Sequence, residues 1–196
     1  MTTKRRLSAV GVPPARSVSQ LKVTLREIRP PIWRRVLVPD NFTLGQLHEV
    51  IQTAMGWKHS HMHAFRLPAR GFGPPRREFG AGPDMEDENA VFLGGVLVRQ
   101  RQVLVYEYDF GDGWEHQIVL EKTLPIEPQA QYPLCLAGAR ACPPEDCGGY
   151  GGYYDLMRML HAAEKTEEQK ELLEWLGEDY NPEAFDLDAV NRRFGH

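Results

Sequence analysis

The chain has 196 residues, a length that suits one domain. Its 42% hydrophobic and 26% charged residues are ordinary for a globular protein and exclude global disorder and collagen- or mucin-like repeats. The net charge of −4 is unevenly spread: residues 1–40 hold nine Lys/Arg against two Asp/Glu, and residues 145–196 hold five against thirteen. A basic front admits nucleic acid as a partner, although an acidic total is not the usual footprint of a strong DNA binder. No apolar run approaches the roughly 20 residues of a membrane helix, and the N-terminus lacks a signal-peptide core. With three cysteines, the chain reads as cytoplasmic, with reduced thiols and no membrane partner.

Residues 1–19 mix basic residues with Ser, Pro and Gly and predict a disordered basic tail, leaving residues 20–196 as the domain. Leu21, Val23 and Leu25 alternate with polar residues, which predicts a strand near 21–28. Arg29-Pro30-Pro31 breaks it, and a second strand follows near 33–38, giving a hairpin. Thr43 with Gln46 forms a capping box for a helix over 44–55, whose apolar stripe is Leu44, Leu47, Ile51, Ala54 and Met55. His48, Glu49 and Gln52 lie off that stripe. This hairpin-then-helix opening is like that of a β-grasp domain.

His59, His61 and His63 alternate into a strand near 62–67, which places them on one face. Residues 68–90 predict a long loop rich in Gly, Pro and acids, and 91–99 is ambiguous between strand and short helix. Val103 to Glu121 is the clearest β signal, with strands near 103–110 and 114–121 about Asp112-Gly113. Residues 125–144 read as irregular. A helix from about Tyr153, a second one ending at Gly177, and a last one capped by Asp186 or Asp188 complete the chain.

Three segments carry a resemblance: Tyr106 to His116 (YEYDFGDGWEH), Cys135 to Gly149 (CLAGARACPPEDCGG), and the opening from Leu21 to Trp57. In this order they resemble the plasmid pRiA4b open-reading-frame-3-like family. The resemblance implies one α+β domain of bacterial origin, met in plasmid and mobile-element settings. Some relatives carry a resolvase-type label, but residues 20–196 hold no catalytic serine motif and no recombinase helix-turn-helix. The resemblance carries over no catalytic residue. The expected architecture is a single α+β domain with a mainly antiparallel sheet, a β-grasp-like opening and C-terminal helices.

The polar residues suggest two kinds of function. A two-residue turn at Asp112-Gly113 would set Asp109 opposite His116, where a carboxylate beside an imidazole makes either a cross-strand ion pair or an active-site ingredient. Histidines two apart on a strand can chelate one ion, so His61, His63, Asp109, Asp112 and His116 form a candidate set for a divalent metal such as zinc. Cys135, Cys142 and Cys147 lack the C-x-x-C knuckle of structural zinc sites. Glu145-Asp146 before Gly148-Gly149 suits a cation or a carboxylate-locked turn, and no P-loop Lys-Ser/Thr follows. Trp33-Arg34-Arg35 fits either nucleic acid or a strand with snorkelling arginines. The candidate cleft therefore comprises Asp109, Asp112, Trp114, His116, Glu145 and Asp146, with Asp109 or Asp112 expected within reach of His61, His63, Glu145 or Asp146. Lacking a complete catalytic motif, the chain reads first as a non-enzymatic recognition or adaptor domain with a protein partner, and second as a metal-dependent hydrolase or nuclease.

Overall fold

The computed structural model describes residues 13–75, 85–162, 166–177 and 180–196. Eight strands form one sheet: β1 (Val18–Leu25), β2 (Trp33–Pro39), β3 (His63–Leu67), β4 (Arg70–Gly73), β5 (Met85–Asp87), β6 (Val103–Tyr108), β7 (Trp114–Leu124) and β8 (Leu134–Ala139). Their order is β5-β4-β3-β6-β7-β1-β2-β8, antiparallel throughout except for the β4–β5 pair. The described helices are α1 (Leu44–Met55), α2 (Leu93–Val96), α3 (Gly149–His161), α4 (Glu167–Leu176) and α5 (Leu187–Phe194). The chain is thus a single α+β domain with a mostly antiparallel sheet.

The period-2 pattern explains the layering. Leu21, Val23, Leu25, Val36, Leu104, Tyr106, Ile118 and Leu120 point inward and are fully buried or nearly so. Helix α1 lays Leu44, Leu47, Ile51 and Met55 on them. Burying side chains of that size contributes about 1.5–3 kcal/mol each. The alternate residues, among them Lys22, Trp33, Arg35, Val103, Val105 and Val119, remain half-exposed. One face of the sheet therefore carries the core and the other meets solvent.

The capping box at Thr43 forms as the sequence predicts, and Gly56 closes α1 in the left-handed conformation at φ 96°. Asp186 caps α5 through the Ala189 N–H. Several expectations require correction. β1 opens at Val18, so the last residues of the expected tail lie in the sheet: Val18 and Ser19 are buried, and Ser17 and the Arg16 N–H bond the Asp40 carboxylate. Residues 1–12 of that tail lie outside the described residues. The expected loop at 68–90 contains β4 and β5, and the segment taken as irregular contains β8.

Strand β8 forms because its partners lie far along the chain. Asn191 of α5 accepts from the Cys135 N–H at 2.8 Å and donates to its carbonyl at 3.0 Å, so a side-chain amide occupies the free edge of the sheet. Arg34, expected to snorkel, is instead buried at 3% exposure. Its guanidinium donates to the carbonyls of Trp33, Ala54, Ala139 and Arg140 at 2.8–2.9 Å, tying β2 to α1 and to the end of β8.

A candidate metal centre

The hairpin between β6 and β7 differs from a two-residue turn. Asp109 adopts φ 55°, and its Oδ1 accepts from the Gly111 N–H at 3.0 Å. Gly113 N–H donates to the Asp109 carbonyl, so the connection runs over five residues, 109–113. Tyr108 therefore faces Trp114, and Tyr106 faces His116. The expected Asp109–His116 pair does not form.

His116 instead points into the core with no exposed surface, beside Trp57 and Tyr106. Burial pushes its pKa down to about 3, so it is a neutral core imidazole. Trp114 is likewise buried, packed on Tyr150 of α3. Asp112 contributes to the turn and lies outside the cluster described next.

The three histidines do not share a strand face either. β3 starts at His63, and His59 has φ 59°. The reason is a set of side-chain acceptors that displace ladder bonds: Lys58 N–H donates to Glu145, His59 N–H to Gln52, and Ser60 N–H to the Tyr108 hydroxyl. The segment turns, and the histidines enter two separate clusters.

In the first cluster, His61 Nε2 lies 3.1 Å from Asp146 Oδ1, 3.5 Å from Glu145 Oε2 and 3.6 Å from Asp109 Oδ2. Asp109 uses one oxygen to hold a loop and turns the other to His61, whereas Glu145 Oε2, which also faces His61, accepts from the Tyr108 hydroxyl at 3.1 Å. Asp109 Oδ1 binds its own turn, and Glu145 Oε1 accepts from Lys58 N–H at 2.7 Å and from the Tyr108 hydroxyl at 3.0 Å. His61 Nε2 itself is buried and makes no hydrogen bond among the described residues. Metal–ligand bonds of about 2.0–2.2 Å in a tetrahedron separate neighbouring ligand atoms by about 3.3–3.6 Å. The Glu145 and Asp109 oxygens, at 3.5 and 3.6 Å, stand at that edge length, and the Asp146 oxygen, at 3.1 Å, stands slightly inside it. The ligand atoms of His61, Asp109 and Asp146 all lie within 4.8 Å of one another.

Glycine holds the two loops together here. Gly149, at φ 66°, sits so close to the β6–β7 turn that a Cβ there would lie 2.6 Å from the Asp112 carbonyl oxygen. Trp57 Nε1 donates to the Pro143 carbonyl at 2.9 Å, which fixes the preceding Pro-Pro segment on the end of α1. The DFGDGW and PPEDCGG strings thus meet because only glycine permits their backbones this approach.

The second cluster comprises His48, Glu49, His59, His63 and Glu88. His48 Nε2 is 3.2 Å from His59 Nδ1, and the His48 ring stacks on His63 at 3.6 Å. His63 Nε2 pairs with Glu88 at 2.9 Å, both buried. Hydrogen-bond bookkeeping assigns the protons. His59 N–H fixes Gln52 Oε1 as an acceptor, so the Gln52 amide N–H donates to Tyr106 Oη at 3.0 Å. The Tyr106 hydroxyl then donates to His48 Nδ1 at 2.7 Å, leaving the proton on His48 Nε2 to bond His59. Burial and its two histidine neighbours hold the His48 pKa down to about 2. Among the described residues none of this cluster's buried side-chain polar atoms lacks a hydrogen-bond partner, and His48, Glu49 and His59 also have ligand spacing. Sequence reasoning placed His48 and Gln52 outside the core. Their signal was the i, i+4 repeat beside Leu44, Leu47 and Ile51, which widens the buried face of α1.

The cysteines stay apart from both clusters. Burial pushes the Cys142 and Cys147 thiols up to about 12, and among the described residues no group with metal-ligand spacing includes a cysteine.

The family model of the plasmid pRiA4b ORF-3-like proteins matches residues 17–189. The chain belongs to that family. Among its relatives, an uncharacterised protein of Sinorhizobium fredii, y4hQ, is 42% identical over 177 residues, covering 90% of each chain. The crystal structure of MM3350, a protein of unknown function from Methanosarcina mazei, superposes with a TM-score of 0.81 at 36% identity, covering 90% of this chain and 98% of that one. Among the described residues of this member, no helix is long and apolar enough to cross a membrane.

Proposed function

We propose that the protein is a metal-dependent hydrolase that holds one divalent cation between His61, Asp109 and Asp146, with Glu145 as a fourth neighbour. The observation that carries this reading is the buried His61 Nε2, ringed by three carboxylate oxygens at 3.1–3.6 Å and bonded to none of them. One imidazole with two or three carboxylates suits zinc or manganese. Asp146 is 68% exposed, so one side of the cluster opens to water, and a bound ion there would activate that water for attack on an ester or phosphoester. His63, Asp112 and His116, part of the sequence-based ligand set, do not enter this reading.

A second reading keeps the ion and removes the chemistry. Phe110 is 47% exposed on the same loop as Asp109, as a recognition or adaptor domain would present an aromatic anchor beside an ion-ordered turn. Metal content tests both. Untagged protein incubated with zinc or manganese and desalted is expected to retain one ion per chain. Asp109→Asn keeps the Oδ1 that holds the turn and is expected to lose the ion while melting normally. An empty wild-type protein ends both metal readings. A loaded protein that never accelerates hydrolysis across a panel of nitrophenyl esters and phosphoesters leaves the recognition reading.

A further inference from the structure

The outward face of the sheet carries a second surface, independent of the His61 cluster. Cross-strand register places Trp33, Thr24, Gln117 and Val105 in one row, and Arg35, Lys22, Val119 and Val103 in the next. All eight are half-buried or exposed. Trp33 has the Lys22 ammonium 5.1 Å and the Arg35 guanidinium 5.2 Å from its ring centroid. Arg35 also lines an adjoining groove of about 480 Å³ with Gln20, Arg101, Val119, Glu121 and Lys122.

The charges on this face are not balanced. Its three carboxylates are all engaged: Glu107 with Arg66, Glu115 with Arg26, and Glu121 with Arg35 and Gln20. Among the described residues Lys22, Arg101 and Lys122 form no close ion pair, although the Lys22 charge acts on Glu121 through space. An aromatic ring flanked by cations and adjoining a groove with unpaired cations fits a base stacked beside its phosphate. We infer that this sheet face binds single-stranded nucleic acid, with a base on Trp33 and backbone phosphates on Lys22, Arg101 and Lys122. A flat sheet offers no helix or ribbon for a duplex groove, whereas unstacked bases can lie along it.

The test uses fluorescence anisotropy with labelled 12-mers of oligo-dT and oligo-U, and a duplex of the same length. Three phosphate contacts predict a slope of log K against log salt of about −2, which is about a 20-fold loss of affinity from 50 to 200 mM salt. Trp33→Ala is expected to weaken binding at least about fivefold. Lys122→Glu, at an exposed position, is expected to weaken binding and reduce the salt slope by about 0.7, and it serves if Trp33→Ala fails to fold. Absence of binding at 50 mM salt, equal affinity for the duplex, or an unchanged affinity of both variants overturns the inference. So does sedimentation that shows this face closed by a second copy of the chain. None of these substitutions touches His61, Asp109, Glu145 or Asp146, so metal content reports on that centre separately.

Discussion

His116 offers a measurement whose sign follows from its burial. Its side chain is completely buried, its Nδ1 has only a long 3.4 Å contact to the Tyr106 carbonyl, and its Nε2 has no hydrogen-bond partner among the described residues. Burial lowers its pKa to about 3, against about 6.5 in the unfolded chain. A depressed histidine pKa means that the unfolded state takes up a proton which the native state refuses. Stability is therefore full above the unfolded value and is lost as pH falls from about 6.5 towards 3. Between pH 7 and pH 4.5 this one group removes about 2–3 kcal/mol, since each pH unit between the two pKa values is worth a little over 1 kcal/mol. Carboxylates and His48 add their own acid sensitivity, so the informative quantity is a difference between variants. His116→Phe removes the titrating group and keeps an aromatic ring against Trp57. Urea unfolding of both proteins at the two pH values is expected to show the variant losing about 2–3 kcal/mol less than the wild type. Equal losses would refute the assignment of His116 as a neutral core residue.

Three further outcomes follow from the packing. Arg34→Met removes four hydrogen bonds to backbone carbonyls and leaves those carbonyls in the core, an expected loss of about 3–5 kcal/mol in urea unfolding that Arg34→Lys recovers only in part, because one ammonium cannot span them. Gly152→Ala would set a Cβ 1.7 Å from the Cys147 carbonyl oxygen and is expected to lower the melting temperature sharply, whereas Gly151→Ala meets nothing within 4 Å and is expected to gain up to about 1 kcal/mol from helix propensity. Thr43→Ala deletes the N-cap acceptor of Gln46 N–H and is expected to cost about 1 kcal/mol, read by the same unfolding assay.

Local signals were legible in the sequence wherever a residue's partner lies nearby in the chain. Thr43 and Gln46 close their capping box within one turn, and the alternation of Leu21, Val23 and Leu25 needs only one buried face. Signals failed where the partner is remote. β8 is held by β2 about 100 residues earlier and by Asn191 more than 50 residues later, and no pattern within 134–139 announces either. The centre at His61 shows the same division. That the DFGDGW and PPEDCGG strings matter could be read from their composition, but which residues face one another depended on the turn. An αL Asp109 caps its own loop and lengthens it, which sends His116 inward and leaves Asp109 Oδ2 free to face His61. The same substitution of side-chain for ladder hydrogen bonds at Lys58, His59 and Ser60 breaks the three-histidine row and parts His61 from His63. Histidines two residues apart therefore reach opposite ends of the chemistry. His63 pairs with Glu88, His59 accepts a hydrogen bond from His48, and His61 keeps a buried ring nitrogen facing three carboxylates without a hydrogen bond to any. Buried polar atoms are for the most part hydrogen-bonded, as in the His48 network, and the unbonded His61 Nε2 facing the Asp109, Glu145 and Asp146 carboxylates is the opening that the proposed cation would fill.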